Sequence, residues 1–185
     1  MFAAFNEMAR VELTLYTDAL VTRGFVRTRQ HRITDILNLA DAPFLVLEEV
    51  TVEELGVRGE PIRAEYAQVN LEAVLFAVVN EAMQPMPELR TPKMQEQAIL
   101  SAPPFKVVGT IHLMPTNGDL REALTELTGR FLPVTDATYW SDQLGEARQE
   151  ALLLAVNHHR TQILAKYQAP DPWAGLGGSA ARSPS

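Results

Sequence analysis

The sequence predicts a mainly β (α+β) protein, made of two tandem small β-barrel-like domains that each carry one short helix and are pseudo-twofold related. The first observation behind this prediction is an internal repeat. Residues 44–49 are FLVLEE and residues 131–136 are FLPVTD, so an aromatic, an aliphatic stretch and an acidic residue recur in the same order 87 positions apart. A repeat of this length indicates two copies of one structural unit.

The same spacing holds at other positions. An offset of 87 places Val69-Asn70 on Val156-Asn157, and an offset of 85 places Gly24 on Gly109. A two-residue insertion between strand and helix in the second copy explains the change of offset. The second observation is that apolar and polar residues alternate through both copies, a pattern typical of half-buried strands.

The first copy is predicted to follow the order β-β-α-β-β-β. Its strands and helix are expected at 11–16, 20–28, 32–39 (the helix), 44–50, 64–69 and 73–79. Gly24 inside the second strand predicts a bulge or a close approach of the backbone. Asn70 predicts the turn before the last strand, because asparagine tolerates a left-handed backbone. Residues 64–79 are also rich in Ala, Glu and Leu, so a helix there is the alternative.

The second copy follows the same order. Its strands are expected at 99–100, 105–114, 131–137, 151–156 and 161–167. Between the second and third of them, Asn117-Gly118 predicts a turn, Asp119 can cap a helix at 120–127, and Gly129 ends that helix. Phe44 and Phe131 are both predicted to be core residues.

Composition places the domain boundaries. We expect an N-terminal arm at 1–10, the first β-domain at 11–80, a Pro- and Met-rich linker at 81–95, the second β-domain at 96–168 and a disordered tail at 169–185. Pro, Gly, Ser and Ala dominate the tail, which is typical of disorder. Trp173 is its one sizeable apolar side chain and is a candidate interaction residue.

Charge and cysteine content narrow the function. The net charge is −7, and residues 1–90 hold 14 acids against 8 bases, which disfavours non-specific binding to nucleic acid or anionic lipid. The chain has no cysteine, so disulfides and thiolate chemistry are excluded. We identify neither the features of a signal peptide nor an apolar run of membrane-spanning length in the sequence. These features predict a cytoplasmic protein with no membrane partner.

Four segments together resemble a known family. Gly24, residues 32–38 (RITDILN), residues 44–47 (FLVL) and Val69-Asn70 resemble an uncharacterised family of small bacterial domains. Members carry a glycine-bearing strand, an RxxDxLN helix, an FLxLxD strand and a late Val-Asn turn. The resemblance implies a fold similar to Sm-like small barrels, chiefly through the strand–Asn turn–strand ending, and implies no activity.

The second copy matches the family pattern in its strands and departs from it in its helix. The matches are Gly109, Phe131-Leu132, Asp136 and Val156-Asn157. In the helix, Asp119, Glu122 and Thr125 replace the Arg, Asp and Asn of the family. A role for this polar helix set is therefore confined to the first copy.

Residue types that carry catalysis or bind metals do not form a recognisable set. The histidines are His31, His112 and the adjacent pair His158-His159, and neighbours in a strand point to opposite faces. The acidic pairs Glu48-Glu49 and Glu53-Glu54 split across a strand in the same way. Nucleophile elbows and phosphate-binding loops are also missing. We expect no catalytic residue, no metal and no cofactor.

The strand around Arg23 carries a basic face. Arg23, Phe25, Arg27 and Arg29 alternate along it, and His31 and Arg32 continue it. Such a face can follow a phosphate backbone and stack a base. The alternative is pairing with the acidic strand at 48–54, because opposite charges on neighbouring strands stabilise each other.

A second polar cluster lies on the first helix. Arg32, Asp35 and Asn38 are three and six residues apart and share one face. They can contact a ligand or partner, or they can fix the helix ends and the adjoining loop.

These features predict a non-enzymatic interaction or scaffold protein. It is expected to act by oligomerisation or by partner docking at exposed strand edges, since unprotected edges pair readily. The alternative is a regulatory module that binds RNA or single-stranded nucleic acid through the basic face from Arg23 to Arg32.

Overall fold

A computed structural model describes residues 8–30, 32–39, 43–79, 94–114 and 120–168. Most of the predicted N-terminal arm and linker lie outside these residues. The turn at Asn117-Gly118, the cap at Asp119, His31, and the tail with Trp173 lie outside them as well, so those predictions stay untested.

The first half of the chain follows the predicted order of elements. They are β1 (Ala9–Tyr16), β2 (Leu20–Thr28), α1 (Ile33–Asn38), β3 (Phe44–Glu54), β4 (Ile62–Asn70) and β5 (Phe76–Val79). The alternative of a helix over residues 64–79 is wrong, because β4 and β5 occupy most of that range. The predicted last strand starts three residues late, since residues 71–73 form the turn.

The second half repeats the order. Its elements are β6 (Met94–Ala102), β7 (Phe105–Leu113), α2 (Leu120–Thr125), β8 (Phe131–Ser141), β9 (Glu146–Asn157) and β10 (Ile163–Lys166). The strand predicted at 99–100 is much longer than expected. Its N-terminal part reads Met-Gln-Glu-Gln, which lacks the β-branched residues that favour strand assignment.

The described strands form a single open antiparallel sheet. Its strand order is β10-β6-β7-β8-β9-β5-β1-β2-β3-β4. Each half contributes five consecutive strands in the same relative order, and β5 of the first half pairs with β9 of the second. The prediction of a mainly β fold is confirmed. We call the β5–β9 contact the joint, and we call β4 and β10 the open edges.

The bulge predicted at Gly24 is present, and the second half has one at the equivalent glycine. The register between β2 and β3 shifts at Gly24, and the register between β7 and β8 shifts at Gly109. Opposite these glycines, Glu49 and Asp136 have positive φ angles of 51° and 49°. A Cβ added to Gly109 would lie 2.7 Å from Cγ1 of Val134, so close strand approach requires glycine at this position.

The apolar side chains form two clusters, each built mainly from one half. Ile33, Ile36 and Leu37 of α1 lie in the first cluster, as the helical spacing predicts. Three aromatics cross between the halves: Tyr16 and Phe76 pack in the second cluster, and Phe131 packs in the first. The joint is therefore an extension of both cores.

Phe131 and Phe44 have different environments although the repeat aligns them. Phe131 is 1% exposed, so its predicted core position is confirmed. Phe44 is 42% exposed, so its predicted core position is wrong. The reason is the neighbouring structure: the first half covers Phe131, whereas Phe44 begins β3 beside the open edge β4.

Candidate interaction surfaces

The joint is a short antiparallel pairing. Phe76 lies opposite Val156, Ala77 opposite Ala155 and Val78 opposite Leu154. The backbone N–H of Asn157 donates to the carbonyl oxygen of Leu75 at 2.8 Å, which extends the ladder by one pair. Few backbone bonds hold the two halves together, so side chains must supply much of the remaining stabilisation.

Asn157 fixes the end of β9 to the first half. Its Nδ2 donates to the carbonyl oxygens of Val74 (2.8 Å) and Leu71 (3.3 Å), and its Oδ1 accepts from the backbone N–H of His159 at 3.1 Å. The side chain is fully buried. Buried amides are stable when their donors and acceptors are satisfied in this way. Asn157, the repeat equivalent of the predicted turn residue Asn70, therefore bridges the two halves.

Asn38 makes a second bridge, from α1 to β8. Its Oδ1 accepts from the backbone N–H groups of Arg130 (2.9 Å) and Phe131 (2.8 Å), and its Nδ2 donates to the Phe131 carbonyl oxygen at 2.9 Å. The cluster of Arg32, Asp35 and Asn38 is half-buried in the structure. Since the Asn38 amide makes three hydrogen bonds to the second half, it stabilises the joint within the chain.

Aromatic side chains from both halves pack beneath the joint. Phe76 stacks on Tyr16 with ring centroids 4.5 Å apart and meets Phe105 edge to face at 5.2 Å. The hydroxyl oxygens of Tyr16 and Tyr139 are 3.3 Å apart, and Tyr139 donates to Oε1 of Gln149. Burial, followed by the hydrogen bond with Tyr16, raises the pKa of Tyr139 well above its usual range. Aromatic pairs of this kind stabilise the joint beyond the apolar area that they bury.

His158 follows Asn157 at the same end of the joint. Its Nε2–H donates to the carbonyl oxygen of Gly129, 2.6 Å away. Burial lowers the pKa of His158, the bond to Gly129 opposes that shift, and the neighbouring His159 adds to it. The neutral imidazole is therefore the form that the folded protein favours.

Stability is expected to fall as the pH drops below about 6.5, the ordinary histidine pKa. The folded-state pKa of His158 is below the unfolded value, so the unfolded chain binds more protons in this range. The contribution is present above about pH 6.5 and is lost as the pH falls through the folded pKa. Thermal unfolding of wild type and His158→Gln between about pH 5 and 8 measures it. An equal pH dependence of the two proteins would contradict the assignment.

The two open edges expose positions that are buried at the joint. Ile163 of β10 is 60% exposed, whereas Phe76, its equivalent in the repeat, is 0% exposed. Val69 of β4 is half-buried and Asn70 is exposed, whereas their equivalents Val156 and Asn157 are fully buried. The open edges thus leave apolar and amide groups uncovered.

The basic strand face is largely paired within the molecule. Nη1 of Arg23 lies 2.7 Å from Oε1 of Glu53, and Nε of Arg27 lies 3.1 Å from Oε1 of Glu48. The predicted pairing with the acidic strand is therefore observed. Arg29 is exposed, and the described residues provide no ion pair for it.

Arg10 is an additional member of this face that sequence reasoning missed. Its guanidinium carbon lies 3.6 Å from the centroid of the Phe25 ring, and its Nη2 lies 2.7 Å from Oε1 of Glu49. Phe25 is therefore covered by an arginine of the neighbouring strand. The register places Arg10 opposite Arg27, two positions from Phe25 along the pair and therefore on the same face, which the unaligned sequence does not reveal.

Comparisons with known proteins provide no further assignment. No family model, no curated protein and no solved structure matches this chain. Within the described ranges, no group of three His, Asp or Glu side chains is arranged to hold a metal ion. His112 is engaged with Thr135, with Nε2 2.8 Å from Oγ1. The helices of the described residues are all too short and polar to cross a membrane.

Proposed function

We propose that this chain is a non-enzymatic interaction or scaffold protein of the cytoplasm that associates through its open strand edges β4 and β10. The observation that carries the proposal is the uncovered state of these edges. Positions that are buried at the joint, such as Phe76 and Val156, have exposed or half-exposed equivalents, Ile163 and Val69, at the edges. An edge of this kind gains stability by pairing with another strand.

The charged residues of β4, Arg63 and Glu65, lie in its first half, and the segments of β4 and β10 that would pair carry few charges. The part of β4 next to Asn70 is Ala67-Gln68-Val69, and β10 begins with Ile163-Leu164-Ala165. Lys166 ends β10, but its Nζ lies 2.9 Å from Oε2 of Glu96 on the neighbouring strand. Since lysines and other charges normally protect edges, these segments favour strand addition.

We also propose that the two halves are barrel-like domains of the small bacterial family that the sequence resembles. The identical strand order of the two halves and the matched bulges at Gly24 and Gly109 support this assignment. In this interpretation, β5 and β9 form the contact between two neighbouring domains of the same chain.

Blocking an edge is expected to abolish association. The N–H of Leu71 donates to the carbonyl oxygen of Pro43, towards β3, whereas the N–H of Asn157, the equivalent of Asn70, donates towards β5. Because N–H groups alternate in direction along a strand, the N–H of Gln68 points away from β3, as that of Asn70 does. Gln68→Pro removes that donor and leaves the β3 ladder intact. Native mass spectrometry of wild type should show assembled species, and the variant should be monomeric. The matched control Gln68→Ala keeps the N–H and should assemble like wild type.

Nucleic acid binding is the alternative function, and replacing Arg23, Arg27 and Arg29 together with alanine tests it. Two of the three arginines are paired with Glu53 and Glu48, so no phosphate-binding capacity is expected to be lost. The exposed ion pairs are expected to contribute less than about 1 kcal/mol each to stability. Titration of fluorescent single-stranded RNA at low salt measures binding. Tight binding by a wild-type monomer, with a steep salt dependence, would overturn the scaffold proposal.

A further inference from the structure

We propose that copies of this chain associate head to tail, with β10 of one copy adding antiparallel to β4 of the next. The contact between copies would reproduce the joint inside the chain. This inference rests on the proposed function and goes beyond it by specifying the partner, the direction and the register.

Four repeat-related pairs of positions carry the argument. In each pair the two residues are 87 positions apart, one at the joint and the other at an open edge or next to it. The joint residues Phe76, Phe131, Val156 and Asn157 are all at most 1% exposed. Their equivalents are Ile163 (60% exposed), Phe44 (42% exposed), the half-buried Val69 and the exposed Asn70.

The four edge residues lie on strands that are equivalent to the two sides of the joint. Phe44, Val69 and Asn70 lie on β3 and β4 of the first half. Their equivalents lie on β8 and β9 of the second half, and β9 pairs with β5. Ile163 lies on β10, the equivalent of β5. Each chain therefore offers one half of a joint at each end of its sheet. A second copy supplies the missing half without any new type of contact.

The joint also predicts the register. Phe76 opposite Val156 translates into Ile163 of one copy opposite Val69 of the next. Leu164 then lies opposite Gln68, and Ala165 lies opposite Ala67. All of these positions are apolar or uncharged, so the pairing buries no unpaired charge.

Asn70 is already oriented for this contact. Its Oδ1 accepts from the backbone N–H of Glu72 at 2.9 Å, just as Oδ1 of Asn157 accepts from the N–H of His159 at 3.1 Å. In Asn157 this orientation directs Nδ2 to two carbonyl oxygens of the other half. The equivalent acceptors for Asn70 are the carbonyl oxygens of His158 and Thr161 in the second copy.

Some contacts of the joint have no equivalent between copies. Thr125 occupies the position of Asn38, and its Oγ1 donates to the Glu122 carbonyl oxygen within α2. The joint also has exposed ion pairs, Arg130 with Glu72 and Arg160 with Asp18, and the repeat places Pro43 and Ala73 at the positions of these two arginines. The contact between copies is therefore weaker than the joint, and assembly depends on concentration. A head-to-tail contact gives a ring if its rotation closes and a filament if it does not.

Disulfide trapping tests the register directly because the natural chain has no cysteine. The Asn157–Leu75 bond makes Phe76 and Val156 a pair without mutual backbone bonds. Such pairs have Cα atoms about 4.5 Å apart, within the range of a disulfide. The variants are Val69→Cys and Ile163→Cys, each a single substitution. After mild oxidation of an equimolar mixture, we expect the crosslinked heterodimer to exceed the homodimers of either variant at least several-fold.

Matched controls separate the possible outcomes. Gln68→Cys points to the opposite face of β4 and should crosslink poorly with Ile163→Cys. Asn70→Ala should weaken association about tenfold by removing two donated hydrogen bonds. Efficient crosslinking of Val69→Cys with itself would show a head-to-head contact and overturn this inference. An assembled wild type without the heterodimer crosslink would also overturn it and leave the scaffold proposal standing. A wild type that remains monomeric at high concentration, with Gln68→Pro behaving identically, would contradict both.

Discussion

Replacing Phe131 with alanine is expected to lower the free energy of unfolding by about 3–5 kcal/mol. Phe131 is 1% exposed and packs in the cluster of the first half, across the joint. Its removal loses the transfer free energy of the ring and leaves a cavity in the packed apolar cluster at the joint. Urea denaturation followed by circular dichroism, at a protein concentration low enough to keep the chain monomeric, measures the change.

Phe44→Ala is the matched control for this measurement. Phe44 occupies the same position of the repeat but is 42% exposed, so its loss is expected to cost no more than about 1 kcal/mol in the monomer. If copies associate as proposed, the cost of Phe44→Ala grows with protein concentration, because the contact buries this ring. Equal losses for both variants in the monomer would contradict the different environments of the two residues.

Replacing Asn157 with alanine is expected to destabilise the chain by about 2–4 kcal/mol. The change leaves the carbonyl oxygens of Leu71 and Val74 without the amide donor that Asn157 provides in a buried site. Unsatisfied buried acceptors carry a desolvation penalty, which is larger than the net contribution of the bonds themselves. Calorimetric or chemical unfolding of the variant measures this effect.

Asn70→Ala serves as the control at the equivalent position. The Asn70 side chain is exposed, and its Oδ1 accepts one hydrogen bond, from the N–H of Glu72. Loss of that turn bond is expected to cost about 0.5–1 kcal/mol. The result that would oppose this assignment is a loss at Asn157 as small as that at Asn70. It would mean that solvent or a neighbouring group replaces the amide in the joint.

The elements of each half could be predicted because their signals are local. Period-two alternation marks β1 and β2, the spacing of Ile33, Ile36 and Leu37 marks the buried face of α1, and glycine marks the two bulges. The pairing of Arg23 and Arg27 with acidic residues could also be predicted from the sequence, because the neighbouring strands β2 and β3 carry opposite charges.

The candidate surfaces were predicted less completely. Arg10 was missed because its contact with Phe25 depends on the β1–β2 register. Asn38 was recognised as a polar helix residue, but its partners, Arg130 and Phe131, lie more than 90 positions away. Contacts over such separations leave no periodic signal along the chain.

The sequence by itself determined the repeat, the order of strands and helices in each half, and the bulge positions, because these depend on residue type and short-range spacing. The tertiary structure alone decided which copy of each repeated residue is buried. Phe44 and Phe131 each begin a Phe-Leu pair, and Asn70 and Asn157 each end a Val-Asn pair, so their burial depends on whether another strand covers them. The joint formed by β5 and β9 covers one member of each pair, and the other member remains at an open edge.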